Sequence, residues 1–417
     1  MNETDRRLRD LLETAAGDPP RQVNVAAVRR RVARRRLMES VAGIAAVAVI
    51  AVAAPALAGS FGSSPAAPRI QAARPGGPVL YVVNGKAGTV TPIPVGTGKP
   101  GKPIKLAVGG PIVVTPDGKR AYVSSDNTDS VIPISLVTGT AGQPIKVGSF
   151  PETMAITPDG KTLYVANINS GDVTPVSIAT NTAGQPIKVG MRPRGIVITP
   201  DGKIAYVINQ GSDTVTPITV ATDTPGKPIK VGNGPLAIAM ALDGKTIYTA
   251  NPGYASVADG VTPISTATNK AGPSIPAGAF PYALAITPDS KTVLVVNAGA
   301  GNSGGTVIPI TAATRSAGAP IPVGKEPQAI AITPDGKTAF VAGQTGTVTS
   351  SSIAMNRAAK PVKVGTGAMA IAITPDGKTA YVASFDAGTV TPITVATDTP
   401  GKPIHVGAGA FTLVFVP

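Results

Sequence analysis

Residues 79–417 alternate short apolar runs with polar turns, and the same pattern recurs along the whole segment. In one unit, an apolar run at 154–156 enters a Thr-Pro-Asp-Gly turn, and a second run follows at 162–167. A polar loop then leads to a third run at 172–178, and a fourth run covers 185–190. Short alternating runs bounded by Gly, Pro, Asp and Asn are typical of β-strands. The unit therefore predicts four strands, here called a, b, c and d, with a and b joined by a tight hairpin.

The Asp-Gly turn between strands a and b marks the period of the repeat. Its Asp stands at positions 117, 159, 201, 243, 289, 335 and 376, so successive turns lie 41 to 46 residues apart. A fixed period of this size is typical of propellers and solenoids. We expect the Asp to cap its own turn while Gly supplies a positive φ, rather than to act as a catalytic carboxylate.

Strand b occurs eight times, and the strands at the two ends of the segment complement each other. The leading residues of strand b are Tyr81, Tyr122, Tyr164, Tyr206, Tyr248, Leu294, Phe340 and Tyr381. Seven strands a precede an Asp-Gly turn and an eighth stands alone at 410–416, whereas the segment begins with b, c and d at residue 79. This offset places both ends in one sheet and seals a ring, which hides strand edges. The sequence predicts an all-β fold: a β-propeller of eight four-stranded antiparallel blades closed by its N- and C-terminal strands, with seven blades as the alternative if one unit is degenerate.

Proline gives the order of strands within a blade. It recurs in strand c, as at Pro175, and in strand d, as at Pro186. Proline cannot donate to a strand ladder and is confined to edges and irregular points. We therefore expect strands c and d near the rim and the more apolar strand a on the inside.

The N-terminal residues have a different composition. Residues 1–36 contain ten Arg and no Lys, and residues 41–58 contain no charged or strongly polar side chain. As a helix, those 18 residues would span about 27 Å, roughly one hydrocarbon core. The positive-inside rule then leaves the N-terminus in the cytoplasm and the propeller outside.

We therefore divide the chain into four segments. They are an Arg-rich cytoplasmic segment at 1–36, a transmembrane helix or signal segment at 37–58, a Pro/Gly/Ser/Ala linker at 59–78, and the propeller at 79–417. This organisation predicts a single-pass protein of a bacterial cell membrane. The alternative is a secreted protein, because Ala56-Leu57-Ala58 fits a signal-peptidase site that would be cleaved near Ala58.

The start of strand b is similar to a known repeat. Tyr-Val-Ala-Asn at 164–167 and Tyr-Val-Val-Asn at 81–84 resemble the YVTN-type β-propeller repeat, and the likeness covers about 79–417. The resemblance implies an extracytoplasmic propeller of the YncE-like or surface-layer-like kind, usually described with seven blades. Related propellers include lactonases and cofactor-associated subunits of dehydrogenases, but none of their catalytic residues carries over onto this sequence.

Composition excludes several kinds of chemistry. With no Cys and one His, the chain has no thiol nucleophile, and it offers almost nothing for a His-based zinc site or a Ser-His-Asp triad. We expect no metal and no cofactor. The 37 Lys and Arg outnumber the 23 Asp and Glu, but aromatic residues make up only 4% and stand mainly in strand b. A nucleic-acid partner is therefore disfavoured, because no stacking platform is left.

A binding site on a symmetric ring should lie where the repeats differ. The b-to-c loops and the loops that enter strand a vary most, and such loops commonly carry function. The candidate ligand-facing residues, predicted to be exposed on these loops, are Phe150, Arg192, Arg194, Tyr254, Phe280, Tyr282, Lys325 and Phe385.

These observations favour a propeller that is not an enzyme. We expect a membrane-tethered binding or scaffolding module at the cell surface, anchored through residues 37–58, with cell-wall polymer or another surface protein as its partner. One alternative is a lactonase-like or cofactor-associated propeller enzyme, which would need acids and Arg clustered at one mouth of the channel. The other alternative is a transmembrane sensor that signals through residues 1–36.

Overall fold

The computed structural model of this chain describes residues 77–106, 109–253, 260–299 and 304–416. Within these ranges the regular secondary structure consists of β-strands, which form eight antiparallel sheets. We call these sheets blades 1 to 8 in chain order. The prediction of an all-β propeller with eight blades is confirmed, and the seven-bladed alternative is wrong.

The strands occupy four positions from the channel to the rim. The inner strands are β38 (Ala410–Val416), β4 (Ile112–Val114), β9 (Pro151–Ile156), β14 (Pro193–Ile198), β19 (Ala237–Met240), β23 (Pro281–Ile286), β28 (Pro327–Ile332) and β33 (Ala368–Ile373). The second strands are β1 (Val79–Asn84), β5 (Arg120–Ser125), β10 (Thr162–Asn167), β15 (Ile204–Asn209), β20 (Thr246–Asn251), β24 (Thr292–Asn297), β29 (Thr338–Gly343) and β34 (Thr379–Ser384). The third strands are β2 (Thr89–Pro94), β6 (Ser130–Ser135), β11 (Asp172–Ser177), β16 (Thr214–Thr219), β21 (Gly260–Ser265), β25 (Thr306–Thr311), β30 (Thr347–Ser352) and β35 (Thr389–Thr394). The outer segments are β3 (Ile104–Lys105), β7 (Thr140–Ala141), β8 (Ile145–Lys146), β12 (Thr182–Ala183), β13 (Ile187–Lys188), β17 (Thr224–Pro225), β18 (Ile229–Lys230), β22 (Lys270–Ala271), β26 (Ser316–Ala317), β27 (Ile321–Pro322), β31 (Arg357–Ala358), β32 (Val362–Lys363), β36 (Thr399–Pro400) and β37 (Ile404–His405).

The ring is closed through blade 1. Strand β38 from the C-terminal end pairs antiparallel with β1, with Leu80 opposite Phe415 and Tyr81 opposite Val414. Each inner strand also contacts the inner strands of the two neighbouring blades, and β38 contacts both β33 and β4. The predicted closure by the terminal strands is therefore confirmed.

The Asp-Gly turns are built as the repeat predicts. In blade 3 the Thr157 hydroxyl donates to Asp159 Oδ1 at 2.6 Å, and the backbone N–H of Lys161 donates to the same oxygen at 3.1 Å. Gly160 has φ 71°, which a side chain would strain. The repeated Asp therefore caps its own turn, as expected.

The outer strand differs from the prediction in length and number. Of the predicted residues 185–190 in blade 3, only Ile187–Lys188 form a strand, β13, which pairs with the beginning of β11. A second short strand, β12 (Thr182–Ala183), precedes the predicted segment and pairs with the end of β11, which leaves a break between the two. At the break, the Gly184 N–H donates to Pro175 O at 2.7 Å. A Cβ on Gly184 would lie 3.2 Å from Pro175 Cγ, so glycine allows this close approach.

A hydrophobic core lies between each pair of neighbouring blades. At the outer end of three of these interfaces, a buried Tyr donates its hydroxyl to the c-to-d turn of the next blade. The bonds join Tyr122 to Asn181 at 2.8 Å, Tyr164 to Asp223 at 2.5 Å and Tyr206 to Asn269 at 2.6 Å. Burial, followed by the bond to Asp223, raises the pKa of Tyr164 far above its usual value. These tyrosines are therefore neutral donors that tie neighbouring blades together.

The predicted segments at 1–36, 37–58 and most of 59–78 lie outside the described residues. In the described ranges no helix has the length and hydropathy that a membrane crossing requires. The membrane anchor stays a prediction.

Candidate functional site

In blade 3 the inner strand begins at Pro151, three residues earlier than the sequence predicts, and most inner strands begin with a β-bulge. In blade 3, Pro151 pairs with Asn167 and Thr153 pairs with Ala166, which leaves Glu152 as the extra residue. The same bulge occurs in blades 1, 4, 6, 7 and 8. Bulges often re-aim a side chain beside a functional site. The bulges here all lie at one level of the channel.

The residues at this level form what we call the bulge ring. Because the strands share one register, each blade contributes one residue at the same height, at the end of the channel where the inner strands begin. In blade order the ring is Phe411, Gly110, Glu152, Arg194, Leu236, Tyr282, Gln328 and Met369. The ring therefore breaks the eightfold symmetry, with a different chemistry at each position.

An ion pair joins blades 3 and 4 in the bulge ring. Arg194 Nη1 lies 3.5 Å from Glu152 Oε1, and both side chains are at most 4% exposed. The Thr153 hydroxyl also donates to the Arg194 carbonyl, so the two inner strands are locked at this point. Arg194 Nε has no hydrogen-bond partner among the described residues. The guanidinium group therefore retains a donor that the pair itself does not use.

A second polar pair stands in blades 6 and 7. The Tyr282 hydroxyl donates to Gln328 Oε1 at 3.0 Å, and both residues are buried. Leu236 of blade 5 belongs to the same apolar cluster as Tyr282, while Phe280 packs against that cluster from the loop before the strand. An apolar residue thus separates the ion pair from the Tyr–Gln pair around the ring.

The loops that enter the bulges are held in an uncommon backbone conformation. In four blades a proline precedes the ring residue, and a residue other than glycine with a positive φ stands before that proline. These residues are Phe150 (60°), Arg192 (56°), Phe280 (61°) and Glu326 (50°). Positive φ is unusual for bulky side chains and is often found at functional sites. The backbone N–H of Phe150 is fixed by a 2.9 Å bond to Asp129 Oδ1.

The sequence-predicted site residues fall at two levels. Phe150, Phe280 and Phe385 are half-buried at the mouth of the channel, while Arg192 and Lys325 are exposed there. Arg194 and Tyr282 lie one step deeper, in the bulge ring, and both are buried, so the prediction that they are exposed is wrong. The reason is the bulge, which brings both side chains against neighbouring blades. Tyr254 lies outside the described residues.

An aromatic cluster also lies at the mouth of the channel, at blades 8 and 1. The rings of Phe385 and Phe411 meet edge to face with centroids 6.4 Å apart. Lys86 Nζ lies 4.5 Å from the centre of the Phe385 ring, within cation–π range. The predicted residue Phe385 thus contacts the bulge ring through Phe411.

Sequence reasoning missed Glu152, Gln328 and Met369. Each occupies the second residue of an inner strand, after Pro151, Pro327 and Ala368 respectively. The signal was present, because the residue after the proline changes chemistry from repeat to repeat. The predicted strand a begins only at the apolar run, which lies after these residues.

The bulge ring offers acid–base and anion-stabilising groups. Glu152 is a carboxylate and Arg194 a fixed cation, and a buried pair of this kind contributes little net stability. In the described part of the chain no three His, Asp or Glu come together in a way that would hold a metal ion. The ring can therefore activate water and stabilise negative charge with side chains that it supplies itself.

Comparison with protein families gives one match. The model described as "Lactonase, 7-bladed beta-propeller" matches residues 66–185, which include β1 to β12 and Glu152. The chain differs from that description in having eight blades. No curated protein matches the chain significantly.

Solved structures share the fold. Hydrazine synthase of Kuenenia stuttgartiensis is 25% identical with a TM-score of 0.58, covering 69% of this chain and 95% of that chain. The dihydro-heme d1 dehydrogenase NirN is 15% identical with a TM-score of 0.70, covering 84% and 77%. A putative 6-phosphogluconolactonase from Bacteroides fragilis is 19% identical with a TM-score of 0.54, covering 82% and 98%. The last two likenesses concern the fold alone.

The prediction that the chain is not an enzyme is contradicted by these findings. The family model that matches residues 66–185 is that of lactonases. The prediction relied on the absence of Cys and the single His. That composition excludes thiol chemistry and His-dependent triads, but it does not exclude catalysis by a carboxylate and an arginine. The comparisons support a lactonase-like propeller and do not single out the YVTN-type group.

Proposed function

We propose that this chain is a lactonase-like hydrolase with the Glu152–Arg194 pair as its reaction centre. The observation that supports it most is a buried carboxylate and guanidinium 3.5 Å apart in the bulge ring, at one end of the channel. Buried ion pairs cost desolvation energy and are often found where function needs them. Glu152 also lies inside the stretch that matches the lactonase model.

In the proposed reaction Glu152 acts as a general base. Its carboxylate takes a proton from a water molecule, and the water oxygen attacks the carbonyl carbon of a lactone. Arg194 Nε–H, which has no acceptor among the described residues, stabilises the negative charge that develops on the carbonyl oxygen. The bond between that carbon and the ring oxygen then breaks, and the ring oxygen takes the proton from Glu152. The product is one hydroxy acid for each lactone and water consumed.

The rest of the bulge ring supplies the substrate-binding surface. Next to Glu152 stands Gly110, where a Cβ would lie only 2.7 Å from Ser124 Oγ, so glycine is required at this position. Beyond it, Phe411 and Met369 present apolar groups, while the Tyr282–Gln328 pair presents hydrogen-bonding groups across the ring. This arrangement suits a lactone whose polar ring faces the ion pair and whose substituent faces the apolar side chains.

The test is hydrolysis of a panel of five- and six-membered lactones, followed as acid release with a pH indicator. Glu152→Gln and Arg194→Met should each lower kcat/KM at least about 100-fold, because each removes a group that acts in the transition state. Arg192→Gln and Lys325→Gln, at exposed positions on the mouth of the channel, are matched controls and should retain activity.

Breaking a buried pair from one side costs about 3–5 kcal/mol, so either single variant could fail to fold. The double substitution Glu152→Leu with Arg194→Leu removes both charges together and should fold. A folded double variant that hydrolyses lactones at the wild-type rate would refute the assignment. So would a wild-type protein that opens none of the panel.

We also propose that the propeller is extracytoplasmic and tethered through residues 37–58. The support is the uncharged run at 41–58 that follows the Arg-rich segment. Intact mass with membrane fractionation tests this: a full-length chain in the membrane fraction is expected, and a soluble chain beginning near Gly59 would favour cleavage.

A further inference from the structure

The interface between blades 6 and 7 lacks a core residue that every other interface has. The third strand of each blade places one aliphatic side chain into the core shared with the preceding blade. These residues are Ile93, Ile134, Val176, Ile218, Ile264, Ile310 and Ile393. In blade 7 the same register position, opposite Ala339, is Ser351. Ser351 is 2% exposed, and its hydroxyl has no hydrogen-bond partner within the described ranges.

The same interface also lacks a tyrosine hydroxyl. At three interfaces a Tyr donates to the c-to-d turn of the next blade, but blade 6 has Leu294 in that position. The turn residue it would reach is Asn356, whose Oδ1 is buried and has no partner in the described structure. Asn356 Nδ2 is used, because it donates to Ala319 O of blade 6 at 3.0 Å.

The neighbouring interface shows that such a loss can be compensated. Blade 7 has Phe340 in the tyrosine position, so it also lacks the hydroxyl. There Ser350, directly opposite Phe340, donates to Asp398 of blade 8 at 2.6 Å. Nothing comparable is described for Asn356, so among the described residues the unpaired turn side chain lies at the interface between blades 6 and 7.

A third hydrogen-bond partner is missing at the other end of the third strand of blade 7. In blades 1, 3, 4 and 5, an Asn at the end of the second strand donates to the Thr two positions into the third strand. Examples are Asn84 with Thr91 and Asn167 with Thr174, both at 2.9 Å. Blade 7 has Gly343 instead, and the hydroxyl of Thr349, which is 1% exposed, has no partner among the described residues.

Two of these positions, Thr349 and Asn356, line one groove of about 460 Å³ between the outer strands of blades 6 and 7. Pro322, Val323 and Ala358 form its apolar walls. Arg357 lies on its exposed side, and residues 353–363 contain Lys360 and Lys363 but no acid. The groove therefore combines a positive edge, apolar walls and buried polar atoms that lack partners.

We propose that this groove is a binding site for a small hydroxylated carboxylate. Arg357 binds the carboxylate, the hydroxyls of the ligand pair with Thr349 and Asn356, and the apolar walls hold the carbon chain. A buried polar atom without a hydrogen-bond partner destabilises the protein, because it has lost its bonds to water without replacement. A ligand that supplies those partners removes this destabilisation, whereas a ligand without hydroxyls does not. The site lies apart from the bulge ring and does not depend on the proposed reaction.

The experiment compares two dicarboxylates by calorimetry on the full-length chain. Tartrate and succinate have the same charge and chain length, but only tartrate carries hydroxyls. We expect tartrate to bind at least 10-fold more tightly. Thr349→Val removes a hydroxyl that lines the groove and keeps the size of the side chain, so it should keep the fold and weaken tartrate binding at least 10-fold.

A second variant guards against an effect of Thr349→Val on folding. Arg357→Thr changes an exposed residue to the one found at Thr182, Thr224 and Thr399 in other blades, and it should weaken both dicarboxylates. Its matched control is Lys270→Thr at the same position in blade 5, which should leave binding unchanged. Equal binding of tartrate and succinate, or binding that survives Arg357→Thr, would mean an adventitious ion only and would overturn the proposal. Absence of tartrate binding would also overturn it.

Discussion

Replacing Phe415 by Ala tests whether the terminal strand closes the ring. Phe415 is 6% exposed, lies opposite Leu80 in the closing sheet, and packs in the core between blades 8 and 1. Its ring meets Tyr381 edge to face with centroids 5.9 Å apart. Truncating a buried Phe to Ala costs about 3–5 kcal/mol. About 0.5–1.5 kcal/mol of this comes from the aromatic pair.

The assay is urea unfolding followed by circular dichroism and tyrosine fluorescence. Phe340→Ala is the matched control, because Phe340 is 1% exposed in the core between blades 7 and 8 and takes no part in closure. If β38 is an integral inner strand, both variants should lose a similar free energy of unfolding. Phe415→Ala should also raise the rate at which proteases cut near the C-terminus.

A clear difference between the two variants would refute the closed ring. If Phe340→Ala loses several kcal/mol and Phe415→Ala loses less than about 1 kcal/mol, the terminal strand contributes little to the folded state. Truncation of 410–417 should then be tolerated as well. In a closed ring that truncation removes five large apolar side chains and the ladder to β1, and the propeller should lose cooperative unfolding.

Three further predictions concern the repeated unit. Gly160→Val should lower the free energy of unfolding by about 1–2 kcal/mol, because Gly160 has φ 71°; unchanged stability in urea would contradict the turn. Hydrogen bonds from Thr287 and a backbone N–H lower the pKa of Asp289, so its stabilising effect is complete above the unfolded pKa of about 3.9 and is lost as pH falls through the folded value. The melting temperature should therefore decrease when the pH is lowered below 4, and Thr287→Val should make that decrease smaller. An equal decrease in the variant would refute the role of the Thr287–Asp289 hydrogen bond. Tyr164→Phe removes the bond to Asp223 and should cost about 1 kcal/mol in thermal unfolding, and a neutral effect would show that this tie is dispensable.

Much of the fold follows from the sequence because local residues set it. Strand b of blade 3 was predicted at 162–167 and is observed as β10 (Thr162–Asn167), since its apolar run is fixed by the Asp-Gly turn before it. The two short outer strands β12 and β13 were not predicted. The break between them depends on the approach of Gly184 to Pro175, a contact that the apolar pattern of the strand does not encode.

The candidate site was predicted only in part, for a similar reason. Arg194 and Tyr282 were identified as variable positions, but their burial was not foreseen. Alternation assigns one side chain to each face in turn, whereas a bulge adds a residue and shifts the register. Glu152 was missed because its importance comes from its distance to Arg194, one repeat later in the chain.

The contacts that give this propeller its individuality join adjacent blades rather than positions within one unit. The Tyr164 hydroxyl meets Asp223 across 59 residues, and Glu152 meets Arg194 across one period. A substitution in one repeat therefore leaves its unpaired partner in the next, as Leu294 does for Asn356. Aligning the repeats with themselves hides this effect, because each unit looks acceptable alone. Comparing each position with its partner in the following repeat reveals it, and both the reaction centre and the groove proposed for this chain lie at such mismatched or exchanged pairs.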